Sequence, residues 1–272
     1  MPALEAGVVV AQKFDAHLEG MHIRTSQAES IRFANNHLDP THYTELVDRL
    51  QKQEQQNALA TRGGFKEFLA SRNLTLSNEP SDTCIATASW QEVTGDPGDV
   101  IALHGGAFDL IVLSHPSLAP ALVPSSVLEA AIFRAARPVL LACKDVSASL
   151  GHSIMIAWNR GVQSRRAVAE AMPFLERADS TVIVNITTGA KQGPEPEEIA
   201  DTLAWHGIKA DVKRLRPDRR SVGETLVEEV DKAGADLLVM GAYSQNRLRE
   251  RLIGGVTREI LANADFSIFM AR

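Results

Sequence analysis

Nine short apolar runs recur along the chain, most of them separated by helix-like stretches, and no other feature of the sequence restricts its folding as much. They read "HLEGMHI", "CIATASW", "FDLIVLS" and "RPVLLAC" up to residue 143, then "SIMIAWN", "TVIVNIT", "ADVKRLR", "DLLVMGA" and "FSIFMAR" to the end. Most are apolar at consecutive positions rather than alternate ones, so strands built from them need cover on both faces. Strands of that kind separated by amphipathic helices make parallel βαβ units, and the expected fold class is α/β.

The runs also fall into two sets. "DLIVLSHPS" from Asp109 matches "DLLVMGAYS" from Asp236, 127 positions later, and "RPVLLACK" matches "DFSIFMAR" as a closing strand. This is a tandem repeat, and 272 residues suit two units that each bury a core. Pairing Ile23 with Ile186 gives a separation of 163, so the first copy carries about 36 more residues there. "THYTELVDRLQKQEQQNALATRGGFKEFLASRNL" accounts for them as a long charged helix, which reads as a solvated face or as a surface for a partner. The polar segment "KDVSASLGHS" separates the copies, with domains expected over 1–147 and 148–272. Nothing in the first copy corresponds to "SIMIAWN". That copy opens on "PALEAGVVVAQKFDA", an amphipathic helix with Leu4, Val8 and Ala11 on one stripe. Either the first domain lacks its leading strand or the natural start lies upstream of Met1.

Composition excludes several classes of function. The 28 Lys+Arg against 34 Asp+Glu give a net charge of -6 and leave no basic footprint for nucleic acid. Cys84 and Cys143 stand alone in apolar runs, without the spacing of a disulfide framework or a zinc site, and are expected to be reduced core thiols. No run reaches the length of a membrane span and no secretory leader is evident, so a cytoplasmic protein is expected, with no membrane partner. Walker, nucleophile-elbow and HExxH patterns are missing, and the histidines are scattered, so no dedicated catalysis is expected.

One motif carries chemistry. Gly241 is followed by two residues, then Ser244, nine residues, and the pair Gly254 and Gly255, with Val256 and Thr257 continuing into a helix. A loop leaving the carboxyl end of a parallel strand can wrap phosphates with converging N–H groups, and the next helix adds its own N-terminal amides. Arg247, Arg249, Arg251 and Arg258 cluster here, either to reach phosphates or as a solvated basic loop paired with Glu250 and Glu259.

This pattern resembles the phosphate loop of ATP-binding members of the universal stress protein family, which the second half resembles over its whole length. The resemblance implies two tandem flavodoxin-like domains. It further implies an adenine nucleotide, ATP with Mg²⁺ being one form, held weakly in the second domain only. Its site would take in Ala157, Trp158 and Asn159 at one strand end, Ile186 at the next, and Met240 beneath the base. Gly241, Ser244, Gly254, Gly255, Val256 and Thr257 would surround the phosphates. Core packing is the competing reading for Trp158 and Met240, and a structural turn with a helix cap is the competing reading for the glycines. The sequence departs from the family in three places: Asn159 for an acidic residue, Ser244 for a glycine, and Gly255 for a hydroxyl-bearing residue. In the first copy the loop "SHPSLAPALVPSSV" has Ser114, Ser117 and Ser125 at the key positions and three prolines that remove donors. That site is expected to be lost, with His115 an exposed loop residue. The resemblance also implies pairing through the closing strands, Pro138–Lys144 and Phe266–Arg272, either in a homodimer or between the two copies of one chain. A nucleotide-free scaffold acting through protein partners is the rival function.

Overall fold

The computed structural model describes residues 2–24, 40–80, 85–118, 123–186, 193–216, 220–242 and 255–272, with backbone alone for 40–47 and 51. All nine apolar runs form strands there, and Thr75–Leu76 adds a short tenth strand that the sequence does not announce. The chain divides into two compact units. One comprises Met1–Ala6 with Gly105–Arg272, the other Gly7–His104.

In the smaller unit, β1 (His17–Arg24) and β3 (Thr87–Thr94) run parallel, and β2 (Thr75–Leu76) joins the far side of β3. The long charged segment is helix α2 (Pro40–Ser71). Ala58, Phe65 and Leu69 form its buried stripe, while most of its other described side chains are exposed, as expected of a helix with one apolar face. The preceding helix α1 (Pro2–Phe14) buries Val8 and Ala11. No strand precedes α1 among the described residues.

The larger unit is built on a seven-stranded sheet of order β4-β5-β10-β9-β6-β7-β8. Its first two strands, β4 (Ile111–Ser114) and β5 (Val139–Ala142), close the first copy. The other five are β6 (Ser153–Ala157), β7 (Ser180–Ile186), β8 (Ala210–Leu215), β9 (Leu237–Gly241) and β10 (Ser267–Ala271), all mutually parallel. Every residue of β5 and β10 is buried. Between them lies the one antiparallel pairing among the described residues, with Leu141, Leu140 and Val139 opposite Ile268, Phe269 and Met270. The closing strands therefore pair with each other inside the chain. Ser267 and Cys143 meet at this join, the serine hydroxyl 3.3 Å from both the Cys143 amide and its sulfur. Cys143 is a buried free thiol, and Cys84 lies outside the described residues.

Between β6 and β7 lie helices α5 (Val162–Glu170) and α6 (Met172–Leu175). Helix α7 (Pro196–Ala204) leads into β8, α8 (Val222–Ala233) into β9 and α9 (Gly255–Asn263) into β10; the first copy's α3 (Pro97–His104) and α4 (Ser125–Glu129) complete the series. Right-handed crossovers place α5 and α7 on one face of the sheet and α8 and α9 on the other. Local sequence sets the helix limits: Ser221 and Glu224 form a capping box at the start of α8, and Gly234 ends it at φ 60°. The Asp236 carboxylate accepts from the amides of Gly151, His152 and Ser153 at 2.7, 3.2 and 3.3 Å, tying the start of β6 to the start of β9.

Candidate functional site

The chain leaves β6 toward β7 and β8, then returns to β9 on the other side of β6. The order of strands reverses between β6 and β9, and at such a reversal the carboxyl ends of parallel strands leave a crevice for a ligand. Several of the motif residues meet there. Ala157 ends β6, in register with Val184 on one side and Met240 on the other. Gly241 follows Met240, and Ile186 ends β7. Helix α9 starts at Gly255, and because it returns from the end of β9, its N-terminus lies at the crevice end of the sheet. Ser244, Gly254, Arg247, Arg249 and Arg251 lie outside the described residues. Arg258 is exposed on α9, Val256 is half-buried, and Thr257 is buried.

The two described motif glycines do different work. A β-carbon on Gly241 would stand 2.6 Å from the backbone of Gln163 and Ser164, so the end of β9 and the first turn of α5 touch only because no side chain intervenes. A β-carbon on Gly255 would meet nothing within 4 Å. Gly241 is therefore demanded by packing, whereas the fold would accept a side chain at Gly255.

Trp158 and Asn159 turn away from one another. The Trp158 ring is buried, its indole N–H donating to Pro194 O at 3.1 Å, and Met240 is also buried. Asn159 is exposed, and its side-chain oxygen accepts from the Gly161 amide at 2.9 Å, which shapes the turn into α5. Next in the chain, Arg160, at φ 64°, places its guanidinium on Gly193 O at 2.8 and 3.0 Å and on the Glu195 carboxylate at 2.6 Å. Gly193 has φ 144°, and a β-carbon there would stand 2.3 Å from Arg160 O. Arg160, Gly193, Pro194 and Glu195 thus strap the segment before α7 over the end of β6. The sequence motifs do not include this strap. Its one sequence signal is a Gly-Pro pair just ahead of an acidic helix start. Arg214 adds to it, reaching Glu195 at 2.9 Å and Glu197 at 2.5 Å, and these bonds hold the Glu197 carboxyl below its ordinary range.

At the equivalent strand end of the first copy, His115 is 2% exposed, not the exposed loop residue expected from sequence. Its amide donates to Ala142 O, its Nδ1 contacts the Ser117 hydroxyl at 2.8 Å, and its Nε2 is buried without a partner. The strand end draws the ring inward, and nothing in "SHPS" signals this. Burial lowers its pKa from the ordinary 6.5. The folded chain thus keeps the ring neutral while the unfolded chain takes up a proton below about pH 6.5. Stability is complete above that pH and declines as pH falls below it, by no more than about 1.4 kcal/mol per unit. Chemical denaturation at pH 7 and pH 5 should show this decline, and His115→Asn should reduce it.

A cavity of about 650 Å³ in the smaller unit is lined by His17, Glu19, Thr87 and Ser89 among others. The His17 ring bridges the Thr87 and Ser89 hydroxyls at 2.8 and 2.9 Å. Among the described residues no group of three or more His, Cys, Asp or Glu could hold a metal ion, and no helix is long and apolar enough to cross a membrane.

A doubly wound sheet whose strand order reverses between β6 and β9 defines the class of the larger unit as an open α/β fold with a crevice at its strand ends. Residues 152–272 match the universal stress protein family. The whole chain shares its fold with a universal stress protein from Archaeoglobus fulgidus DSM 4304, at 12% identity and a TM-score of 0.69, covering 100% of this chain and 91% of that one. A putative universal stress protein from Pseudomonas aeruginosa UCBPP-PA14 matches at 16% identity and a TM-score of 0.55, covering 98% of this chain and 87% of the other. A universal stress protein in complex with cAMP matches 44% of this chain and 96% of its own at 20% identity and a TM-score of 0.36. No curated protein sequence matches the chain.

Proposed function

We propose that the second domain, residues 148–272, binds an adenine nucleotide such as ATP weakly, and that the first domain, 1–147, does not. The observation that carries this reading is the N-terminus of α9, which begins at Gly255 at the crevice end of the sheet, where an added β-carbon would meet no described atom within 4 Å. Its leading amides and helix dipole suit phosphate oxygens, with Mg²⁺ accompanying the nucleotide. Ala157, Met240 and Ile186 mark the strand ends for the adenine and ribose, and Ser244 and Gly254 complete the loop by sequence.

Weak binding follows from the departures. Asn159 carries no charge and already accepts from Gly161, and Gly255 brings no hydroxyl. Each lost polar contact costs about 1 kcal/mol, roughly fivefold in affinity, so two or three such losses at Asn159, Ser244 and Gly255 turn a micromolar site into one near ~0.1 mM. Because Gly255 has room for a side chain, Gly255→Ser should restore a hydroxyl and tighten ATP about fivefold by calorimetry. Mass spectrometry of small molecules released on denaturing the purified protein tests the reading directly, with an adenine nucleotide expected.

The strap supports the rival reading. Arg160, a cation at the crevice, is engaged by Gly193 and Glu195. If no nucleotide is released and none binds at millimolar concentration, the protein acts as a scaffold for protein partners in the cytoplasm. In both readings the β5–β10 join occupies the closing edges, so homodimers form through other surfaces. Neither reading includes dedicated catalysis.

A further inference from the structure

We infer that Arg160 is a positioning residue of the crevice: it holds the Trp158 ring out of the space where a base would lie, and acts on the ligand only through that ring. What the crevice takes rests on the nucleotide reading above; every contact that carries the rest lies within the Gly105–Arg272 unit. Arg160 has a left-handed backbone, φ 64°, which a residue with a β-carbon keeps only where its surroundings compensate the strain. The compensation is visible. Bent back at this point, the side chain donates from Nε and Nη2 to the Gly193 carbonyl at 3.0 and 2.8 Å, and its Nη2 reaches the Glu195 carboxylate at 2.6 Å. Gly193 complements it at φ 144°, and a β-carbon there would run into the Arg160 carbonyl. One arginine and one glycine thus clasp the end of β6 to the segment before α7.

The clasp positions Pro194, the residue between its two contacts. The Pro194 carbonyl accepts from the Trp158 indole N–H at 3.1 Å, and proline has no N–H of its own to fix the segment there. The Trp158 backbone is held separately, its amide donating to Val184 O at 2.9 Å and its carbonyl accepting from Asn185 Nδ2 at 2.8 Å. The direction of the ring is therefore left to the Pro194 bond and to packing. With the Pro194 carbonyl displaced, the indole N–H is buried without an acceptor, and turning toward the crevice restores one from water. A ring turned that way takes the place of the base beside Ala157 and Met240. The share of molecules able to bind falls, and the apparent affinity falls by the same factor.

The test follows hydrogen exchange of the Trp158 indole N–H by NMR in the full chain, with its signal assigned by Trp158→Phe, alongside calorimetric titration with ATP and Mg²⁺. In Arg160→Gln the indole should exchange at least about tenfold faster and ATP affinity should fall about fivefold. The Ile156 and Leu238 amides, in the core of the sheet, should exchange as before, which separates a turned ring from a loosened fold. Saturating ATP should slow the indole in Arg160→Gln back toward the unaltered protein, because the ligand selects the withdrawn ring. Gly193→Ala strikes the clasp from the other side and should act in the same direction. Unchanged indole exchange in both variants overturns the hold of the clasp on Trp158, and so does faster exchange shared by Ile156 and Leu238. Faster indole exchange with unaltered ATP affinity overturns the competition between ring and base. Absence of ATP binding in the unaltered protein overturns the nucleotide reading and the claim about the base with it, while the indole exchange still decides the clasp.

Discussion

Phe269→Ala is expected to melt the Gly105–Arg272 unit about 10 °C below the unaltered protein. Phe269 is 1% exposed in β10, stands opposite Leu140 of β5 and beside Val239 of β9, and its ring lies 5.7 Å from that of Phe174. Removing a buried phenyl ring costs about 3–5 kcal/mol, because the lost transfer energy is joined by the cavity left behind. For a unit of this size each kcal/mol lowers the melting temperature by roughly 2–4 °C. Since β10 joins the copies, β5 and β9 should lose protection together in a single transition. Calorimetry with exchange of the Leu140 and Val239 amides checks this, and two separate transitions would show that the join is not structural.

Gly241→Ala should destabilise the same unit by about 2–3 kcal/mol with no nucleotide present, as measured by chemical denaturation. The new methyl would meet the Gln163 and Ser164 backbone at 2.6 Å, and main chain at a helix start gives way only by moving α5 off the sheet. Gly255→Ser should leave stability within about 0.5 kcal/mol, since the space around Gly255 is open. Two glycines of one motif thus separate into one held by packing and one available for ligand chemistry. Equal, small effects would show that Gly241 also serves the loop alone.

The strands and their duplication were legible because runs apolar on both faces admit few structures other than covered parallel strands. Asp109 and Asp236 set the repeat. For the candidate site, local spacing located the end of β9 at Gly241 and the start of α9. The direction of the Trp158 ring was not legible, because a residue just past a strand end can face crevice or core, and the Pro194 carbonyl that decides it is 36 residues away. The Arg160–Gly193 strap and the burial of His115 escaped for the same reason. Each depends on segments brought together by the sheet, and neither leaves a periodic trace in the chain.

The central claim is that the second domain holds an adenine nucleotide at the N-terminus of α9. Calorimetric titration of the full chain with ATP and Mg²⁺ tests it most directly, alongside Gly255→Asp, which fits the open space and suits a helix start but sets a carboxylate against the phosphates. The account predicts one weak site, near ~0.1 mM, whose affinity falls at least about tenfold in Gly255→Asp. Absence of heat and of any melting-temperature shift at millimolar ATP, or binding that Gly255→Asp leaves unchanged, would contradict it.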